Sequence, residues 1–319
     1  MTLNKVAEQA GVALNTARKA LNNAPGMRPH LRARVQEAAK KLDYHPNLVA
    51  RGLRRNDVGL VPVSVPMQHS YWHMTLSDGL SRALVDTGME PVFCHDAKHM
   101  LAVCKSFRAR GCLLAAEVPR ELMAELSAGR KLVTVNIPRP WDGVPNVAIQ
   151  FDPMYRGLVR RLLAEGRRRV AVVSNFYCLA REKGWPLRKF PAVLRMLEKA
   201  GLPLAGGDVF ASPEAFGAWL ETPRGKVDAV LCEDDMTAAR VVAEMARRGL
   251  RTPRDAQVVG CDANFMVAGT WSVRLDAGVI ARMAVDLLRK ALEDGGAVES
   301  ATYKPEVVVE CPPTPPQKK

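Results

Sequence analysis

The chain has 319 residues, 48% of them hydrophobic and 25% charged; that is enough apolar material for real cores and excludes wholesale disorder. At roughly 150 residues per domain, the length implies two or more. The net charge of +13 is uneven: residues 1–57 hold 11 Lys/Arg against 4 Asp/Glu, whereas the other 262 hold 35 against 29. A short basic block ahead of a nearly balanced body is the footprint of a polyanion binder.

The N-terminal block reads as three short helices. Thr2 can cap the first, where Leu3, Val6, Ala7 and Ala10 follow helical spacing until Gly11 breaks it. A second helix is predicted over 13–21, a loop over 22–26, and a third helix over 29–42 with Leu31, Val35, Ala38, Ala39 and Leu42 on one stripe. From Asp57 the texture changes. Apolar strand-like runs at 58–65, 89–94, 112–116, 131–137, 146–151, 169–174, 227–232 and 256–261 alternate with amphipathic stretches such as 154–165, 190–200, 236–248 and 283–293. Strands buried on both faces and joined by helices imply parallel sheets, and some 250 residues of them suit two lobes. Pro62 falls inside the first of these strands, which should therefore be bent or at an edge. The Pro-rich end, 311–319, is expected to be a disordered tail.

The seven cysteines are odd in number, scattered and set in apolar stretches, as in a reducing compartment. The N-terminus lacks a signal-peptide core and no run of about 18 apolar residues could span a bilayer. These features read as a cytoplasmic protein with no membrane partner.

Two helices joined at Gly11 form a helix-turn-helix candidate, whose second helix would enter the major groove. On that helix Ala17, Ala20 and Leu21 make a small apolar face. The other face carries Leu14, Asn15, Arg18, Lys19 and Asn22 without a single acid, whereas a plain solvated helix more often carries Glu/Lys pairs. Asn can pair bidentately with adenine, Lys can donate to guanine and Leu can touch a thymine methyl.

The run 3–12 (LNKVAEQAGV), with Thr16, Ala20-Leu21-Asn22, Arg32, Arg34-Val35 and 44–53 (YHPNLVARGL), resembles the DNA-binding head of the lactose-repressor (LacI) family. The resemblance runs without a gap over about 55 residues. It implies base contacts from Leu14, Asn15 and Lys19 and phosphate contacts near Thr16 and Asn22. Two positions depart from it. Ala13 stands where the family usually has a capping Ser, and Ala17-Arg18 stand where it prefers Val-Ser; Arg18 could add a phosphate contact or change the docking angle. Residues 47–54 look like the family's hinge helix, too short and Gly-containing to be helical alone in water. The resemblance makes Leu53, with Arg54 beside it, a minor-groove element that kinks the duplex. Two heads per homodimer would read a pseudo-palindromic double-stranded operator.

The body is similar to the two-lobed, type I periplasmic-binding-protein fold that this family carries behind its head. The likeness rests on 59–61, on Asp152 with Tyr155 and Gly157, on 165–170, on 228–238 and on 258–262. Ligands of such folds bind between the lobes, at the carboxyl ends of strands. The expected effector residues are Asp262 and Asp234, each following an apolar strand, and Tyr71 and Trp72, where the family stacks aromatics on a ring. Core packing at a helix start is the competing reading of that aromatic pair. Arg188 is preferred to Arg181 as a ligand clamp. Residues 272–274 (SVR) replace the family's Thr-Thr-Val.

No Gly-rich phosphate loop, His-Glu-x-x-His or other catalytic constellation is present. Cys94, His95, His99 and Cys104 fit no tetrahedral metal pattern well, and Asp234-Asp235 with Asp262, imaginable as a carboxylate metal or acid–base set, read more simply as polar ligand contacts. No cofactor, metal or enzymatic activity is expected. The domain reading is a head over 1–46, a hinge over 47–57, a two-lobed effector-binding and dimerisation domain over 58–310 and the tail. The expected function is a transcription regulator, a repressor in the first instance, answering a small-molecule effector such as a sugar. It is expected as a homodimer, with pairing into a tetramer left open. The alternative is a small-molecule-binding module whose head has drifted to non-specific DNA binding.

Overall fold

The computed structural model describes residues 1–21, 26–44, 59–66, 71–137, 140–184, 189–207, 209–294 and 297–311. The expected hinge, the Asn22 contact, Arg188 and the tail beyond Cys311 lie outside them. The chain divides into two compact units, Met1–Leu60 and Val61–Lys319.

The first unit holds α1 (Leu3–Gln9), α2 (Leu14–Leu21) and α3 (Pro29–Lys41). Their core is built from small residues, Val6, Ala7, Ala10, Ala17, Ala20, Val35, Ala38 and Ala39, which let the three helices approach closely. Gly11, at φ +57°, reverses the chain between α1 and α2, and Arg34 Nη2 donates to its carbonyl at 3.2 Å. Thr2 occupies the N-cap position of α1 but its side chain makes no capping bond, contrary to the sequence expectation. Pro29 opens α3, where a missing N–H costs nothing.

The second unit contains two sheets. In the first, the strand order is β10-β5-β4-β3-β1-β2, with β1 (Leu60–Ser64), β2 (Glu90–Phe93), β3 (Gly111–Leu114), β4 (Lys131–Val135), β5 (Asn146–Ile149) and β10 (Ala301–Tyr303). The second has the order β11-β9-β8-β7-β6, with β6 (Val170–Val173), β7 (Ala229–Cys232), β8 (Gln257–Cys261), β9 (Trp271–Arg274) and β11 (Glu306–Glu310). The recorded pairings in both sheets are parallel except β11 on β9. Strands β3, β6, β7 and β8 are buried along their whole length, as parallel strands covered on both faces must be.

The chain passes between lobes three times: after β5, after β9 and between β10 and β11. In lobe 1, α4 (Tyr71–Asp86) and α12 (Ala277–Asp294) pack on each other, and α12 also covers β3, β4 and β5. Leu76, Leu80 and Leu84 of α4, spaced four apart, are fully buried, each contributing roughly 2 kcal/mol of hydrophobic burial. The opposite face of this sheet is covered by α5 (Ala97–Phe107) and α6 (Arg120–Ser127). In lobe 2, α7 (Phe151–Ala164) and α9 (Lys189–Lys199) pack together, α8 (Asn175–Lys183) follows β6, and α10 (Pro213–Leu220) and α11 (Asp235–Arg247) cover the other face.

Pro62 does not put β1 at an edge: the strand lies between β3 and β2. The Ser64 carbonyl accepts from Ala115 N and the Val63 carbonyl from Cys94 N, so even-numbered residues face β3. By that alternation Pro62 forgoes a single donor, and the flanking bonds carry the strand through it. Among the described residues no helix is long and apolar enough to cross a membrane.

Candidate functional site

Two surfaces bring chemistry-bearing side chains together. The first is α2. Ala17 and Ala20 turn into the core, while Leu14 (39% exposed), Asn15 and Lys19 face solvent and Thr16 and Arg18 are half-buried. Arg18 Nε is shielded from water without a hydrogen-bond partner. The helix carries no acid in its first turn, and Arg18 and Lys19 sit in its last turn, where the helix dipole favours cations.

The second surface is the carboxyl edge of the lobe 2 sheet, where four carboxylates converge. Glu233 Oε2 accepts from Ser174 Oγ and from Phe176 N, both at 3.0 Å, and burial raises its pKa. Asp234 caps α11, accepting from Thr237 N at 2.7 Å. Asp235 is buried; its Oδ2 accepts from Asn264 N at 2.9 Å and Phe265 N at 3.0 Å, and its Oδ1 from Ser272 Oγ at 2.5 Å. It thereby pins the loop between β8 and β9. Gly260 lies against it so closely that a Cβ there would overlap Asp235 Oδ1.

Asp262 follows β8 directly, 6% exposed, with φ +93°, and Ala263 after it has φ +52°. Such angles strain a side-chain-bearing residue. They are held by Asp262 N donating to the Val273 carbonyl at 2.7 Å and Ala263 N donating to Ser272 Oγ at 3.0 Å. Burial pushes the Asp262 carboxyl up to about 6, against the pull of Lys189. The Lys189 ammonium donates to the Glu233 carbonyl. Burial pulls its pKa down, but Cys261, Tyr155 and Asp262 around it outweigh that and hold it well above its ordinary range. Tyr71, Asp234, Asp235, Met236, Cys261, Asp262, Asn264 and Phe265 line a shallow recess over this edge.

The aromatic pair splits between its two readings. Tyr71, 44% exposed, lines the recess with Asp234 and Asp262. Trp72, 8% exposed, belongs to the main core beside Leu76 and Leu80 and stacks edge-on against His73. Arg181 lies over the Tyr177 ring, 5.7 Å from its centre. Among the described residues no group of three metal-ligating side chains is placed to hold an ion.

Residues 2–47 match the family model described as bacterial regulatory proteins, lacI family, and residues 159–310 match that of a periplasmic binding protein-like domain. The chain belongs to the lacI family. The ribose operon repressor of Escherichia coli is 24% identical over 313 residues, covering 90% of this chain and 92% of that one. The HTH-type transcriptional regulator GntR of Pseudomonas aeruginosa is 27% identical over 312 residues, covering 90% and 88%. The crystal structure of the Lac repressor dimer bound to operator and the anti-inducer ONPF superimposes with a TM-score of 0.73 at 18% identity, covering 97% and 98%. That likeness is one of fold: a lacI-type head and a two-lobed parallel α/β body. These relatives are named for regulating transcription, not for catalysis, and as a lacI-family member the chain is a DNA-binding transcription regulator and not an enzyme.

Two residues of this lacI-family cleft, Lys189 and Phe265, escape sequence reasoning, and the sequence reads Asp235 only as a polar ligand contact, not as the carboxylate that pins the β8–β9 loop. Asp235 hides beside Asp234, since nothing in an Asp-Asp pair says which will cap the helix and which will turn into the sheet. Lys189 is one position from the arginine chosen as ligand clamp. Phe265 sits in a loop with no periodicity to read. A usable signal existed for Asp235 alone: the second of two acids after a buried strand, in the first turn of an amphipathic helix.

Proposed function

We propose that the chain is a sequence-specific operator-binding repressor whose DNA affinity is set by a small-molecule effector in the cleft between its lobes. The observation that carries this reading is the acid-free outer face of α2, with Leu14, Asn15 and Lys19 exposed in a helix-turn-helix of lacI type. Asn15 and Lys19 read base edges, Leu14 meets a thymine methyl, and Thr16, Arg18 and Asn22 contact phosphates; the unpartnered, shielded Arg18 Nε suits a phosphate oxygen. The hinge, 47–57, orders on DNA with Leu53 and Arg54 in the minor groove, and the body, 58–310, dimerises so that two heads meet a pseudo-palindrome. Operator binding puts the protein with the chromosome, in the cytoplasm.

In the cleft, Asp262 accepts from an effector hydroxyl or amine, Asp234 offers its second carboxylate oxygen, Tyr71 stacks on the ligand and Arg188 clamps it. The name of one relative, the ribose operon repressor of Escherichia coli, supports a metabolite effector. Regulation requires that the effector bind the operator-competent and operator-incompetent states unequally.

The test is selection of bound sites from random DNA by the full chain, followed by Lys19→Ala. The substitution should relax preference at one base-pair position by ~1–3 kcal/mol while leaving the others intact. Uniform weakening would make Lys19 a phosphate contact. Salt-dependent binding without sequence preference would favour the drifted-head alternative.

A further inference from the structure

Soluble domains scatter their exposed large apolar side chains, and a contiguous set marks a binding surface. Among the described residues ten large hydrophobics are exposed, and three of them line one recess: Tyr71 (44%), Met236 (46%) and Phe265 (51%); a fourth, Phe176 (47%), stands on the same carboxyl edge of the lobe 2 sheet. Their positions follow from the topology. Phe176 is the second residue of α8 after β6, Met236 the second residue of α11 after β7, and Phe265 lies in the loop after β8. All three therefore stand at the carboxyl edge of adjacent parallel strands. Tyr71 opens α4 on the lobe 1 side of the same recess.

The backbone under these side chains is fixed. Phe176 N donates to Glu233 Oε2 and Phe265 N to Asp235 Oδ2, each at 3.0 Å. Among the described residues the charged part of the recess is acidic: Asp262 and Asp234 face it beside the Asn264 amide, and the nearby Lys189 is already engaged with the Glu233 carbonyl and Cys261. A bare sugar would satisfy the carboxylates and leave the aromatic rim wet.

We propose that the cleft takes an amphipathic effector: a hydroxyl- or amine-bearing head on Asp262, joined to an aromatic or similarly large apolar group covered by Tyr71, Met236 and Phe265. This rests on the effector-cleft reading above and adds the ligand's chemical class. The rim closes over the apolar group as the lobes approach, so the apolar group supplies the affinity and the head supplies orientation.

Matched methyl and phenyl glycosides of several hexoses and pentoses, titrated into the full chain by calorimetry, test this. A phenyl member should bind at least about tenfold more tightly than its methyl partner, a gap of ~1.4 kcal/mol. Met236→Ala with Phe265→Ala should erase that gap; both side chains are exposed, so the variant should fold as the parent does. Equal binding of methyl and phenyl members in every pair, or binding of no phenyl member, overturns the proposal. So does a double variant that keeps the gap but loses thermal stability without ligand, which would make the rim a lobe-closure contact only. Site selection on the same preparation separates the two readings. Sequence-specific DNA binding without an aryl preference overturns this inference alone, and an aryl preference without DNA binding overturns the regulator reading and leaves this one standing.

Discussion

Replacing Ala13 by Ser should stabilise the DNA-reading helix. α2 has only eight residues, too few to persist without tertiary support and caps. Among the described residues five other helices begin at a side-chain cap: Asp96, Ser174, Ser212, Asp234 and Asp276 accept from the backbone N–H of His99, Tyr177, Ala215, Thr237 and Val279. Ala13 already has the backbone arrangement of a cap, its carbonyl accepting from Thr16 N at 2.9 Å and Ala17 N at 3.0 Å. A Ser there would place Oγ toward Thr16 N, as Ser174 Oγ meets Tyr177 N at 2.9 Å and Ser212 Oγ meets Ala215 N at 3.1 Å. Ala13 is exposed, so no packing is lost. A Ser cap in place of Ala contributes about 1 kcal/mol, a factor of about 5 in the local opening equilibrium. Hydrogen exchange followed by mass spectrometry on peptides covering 12–21 of the full chain reads this directly. Protection should rise about fivefold in that peptide and stay unchanged in the body. Unchanged or faster exchange would refute the capping argument.

Two further outcomes concern the cleft. Gly260→Ala should destabilise the body by about 1–3 kcal/mol in urea unfolding, because its Cβ collides with the Asp235 carboxylate that pins the β8–β9 loop; a neutral result would mean that Asp235 moves freely. The Asp262 carboxyl, at about 6 when folded against about 3.9 when unfolded, keeps its proton longer in the native state. Its favourable contribution is therefore complete below pH ~4 and lost as pH rises through ~6, on the order of 2–3 kcal/mol. The stability difference between the parent and Asp262→Asn, measured at pH 4.5 and 7, should move in the parent's favour on acidification; a constant difference would place the carboxyl at its ordinary value.

The parts of this molecule legible in the sequence are those fixed by short-range pattern. The stripe of Val35, Ala38 and Ala39 lies within two turns of one helix, and the runs ending at Val173, Cys232 and Cys261 are apolar because both faces of a parallel strand are covered. Most element ends fall within a few residues for the same reason, though α12 begins at Ala277, six residues before the stretch expected from 283. What stayed hidden depends on distant partners. β9, β10 and β11 are three to five residues long and mix polar with apolar positions. β10 becomes a strand only because β5, about 150 residues earlier, offers it an edge. β11 likewise turns antiparallel on β9, which no local pattern encodes.

The same distinction explains the cleft. Strand ends announce that Asp234 and Asp262 lie at the carboxyl edge, because parallel sheets collect their ligands there. The division of labour among neighbours is decided by geometry of a few ångströms. A helix N-terminus draws Asp234 into capping, a glycine opposite makes room for Asp235, and a left-handed turn swings Asp262 beside the Lys189 ammonium. Tyr71 and Trp72 are adjacent in sequence yet face a recess and a core respectively, since successive helical residues point about 100° apart. Each pair of neighbours therefore separates into one residue buried in the scaffold and one less buried residue that lines the recess. In this cleft the scaffold partner is the more deeply buried of the two: Asp235 rather than Asp234, and Trp72 rather than Tyr71. Substituting Asp235 or Trp72 should cost stability first, and substituting Tyr71 should cost effector response at unchanged stability.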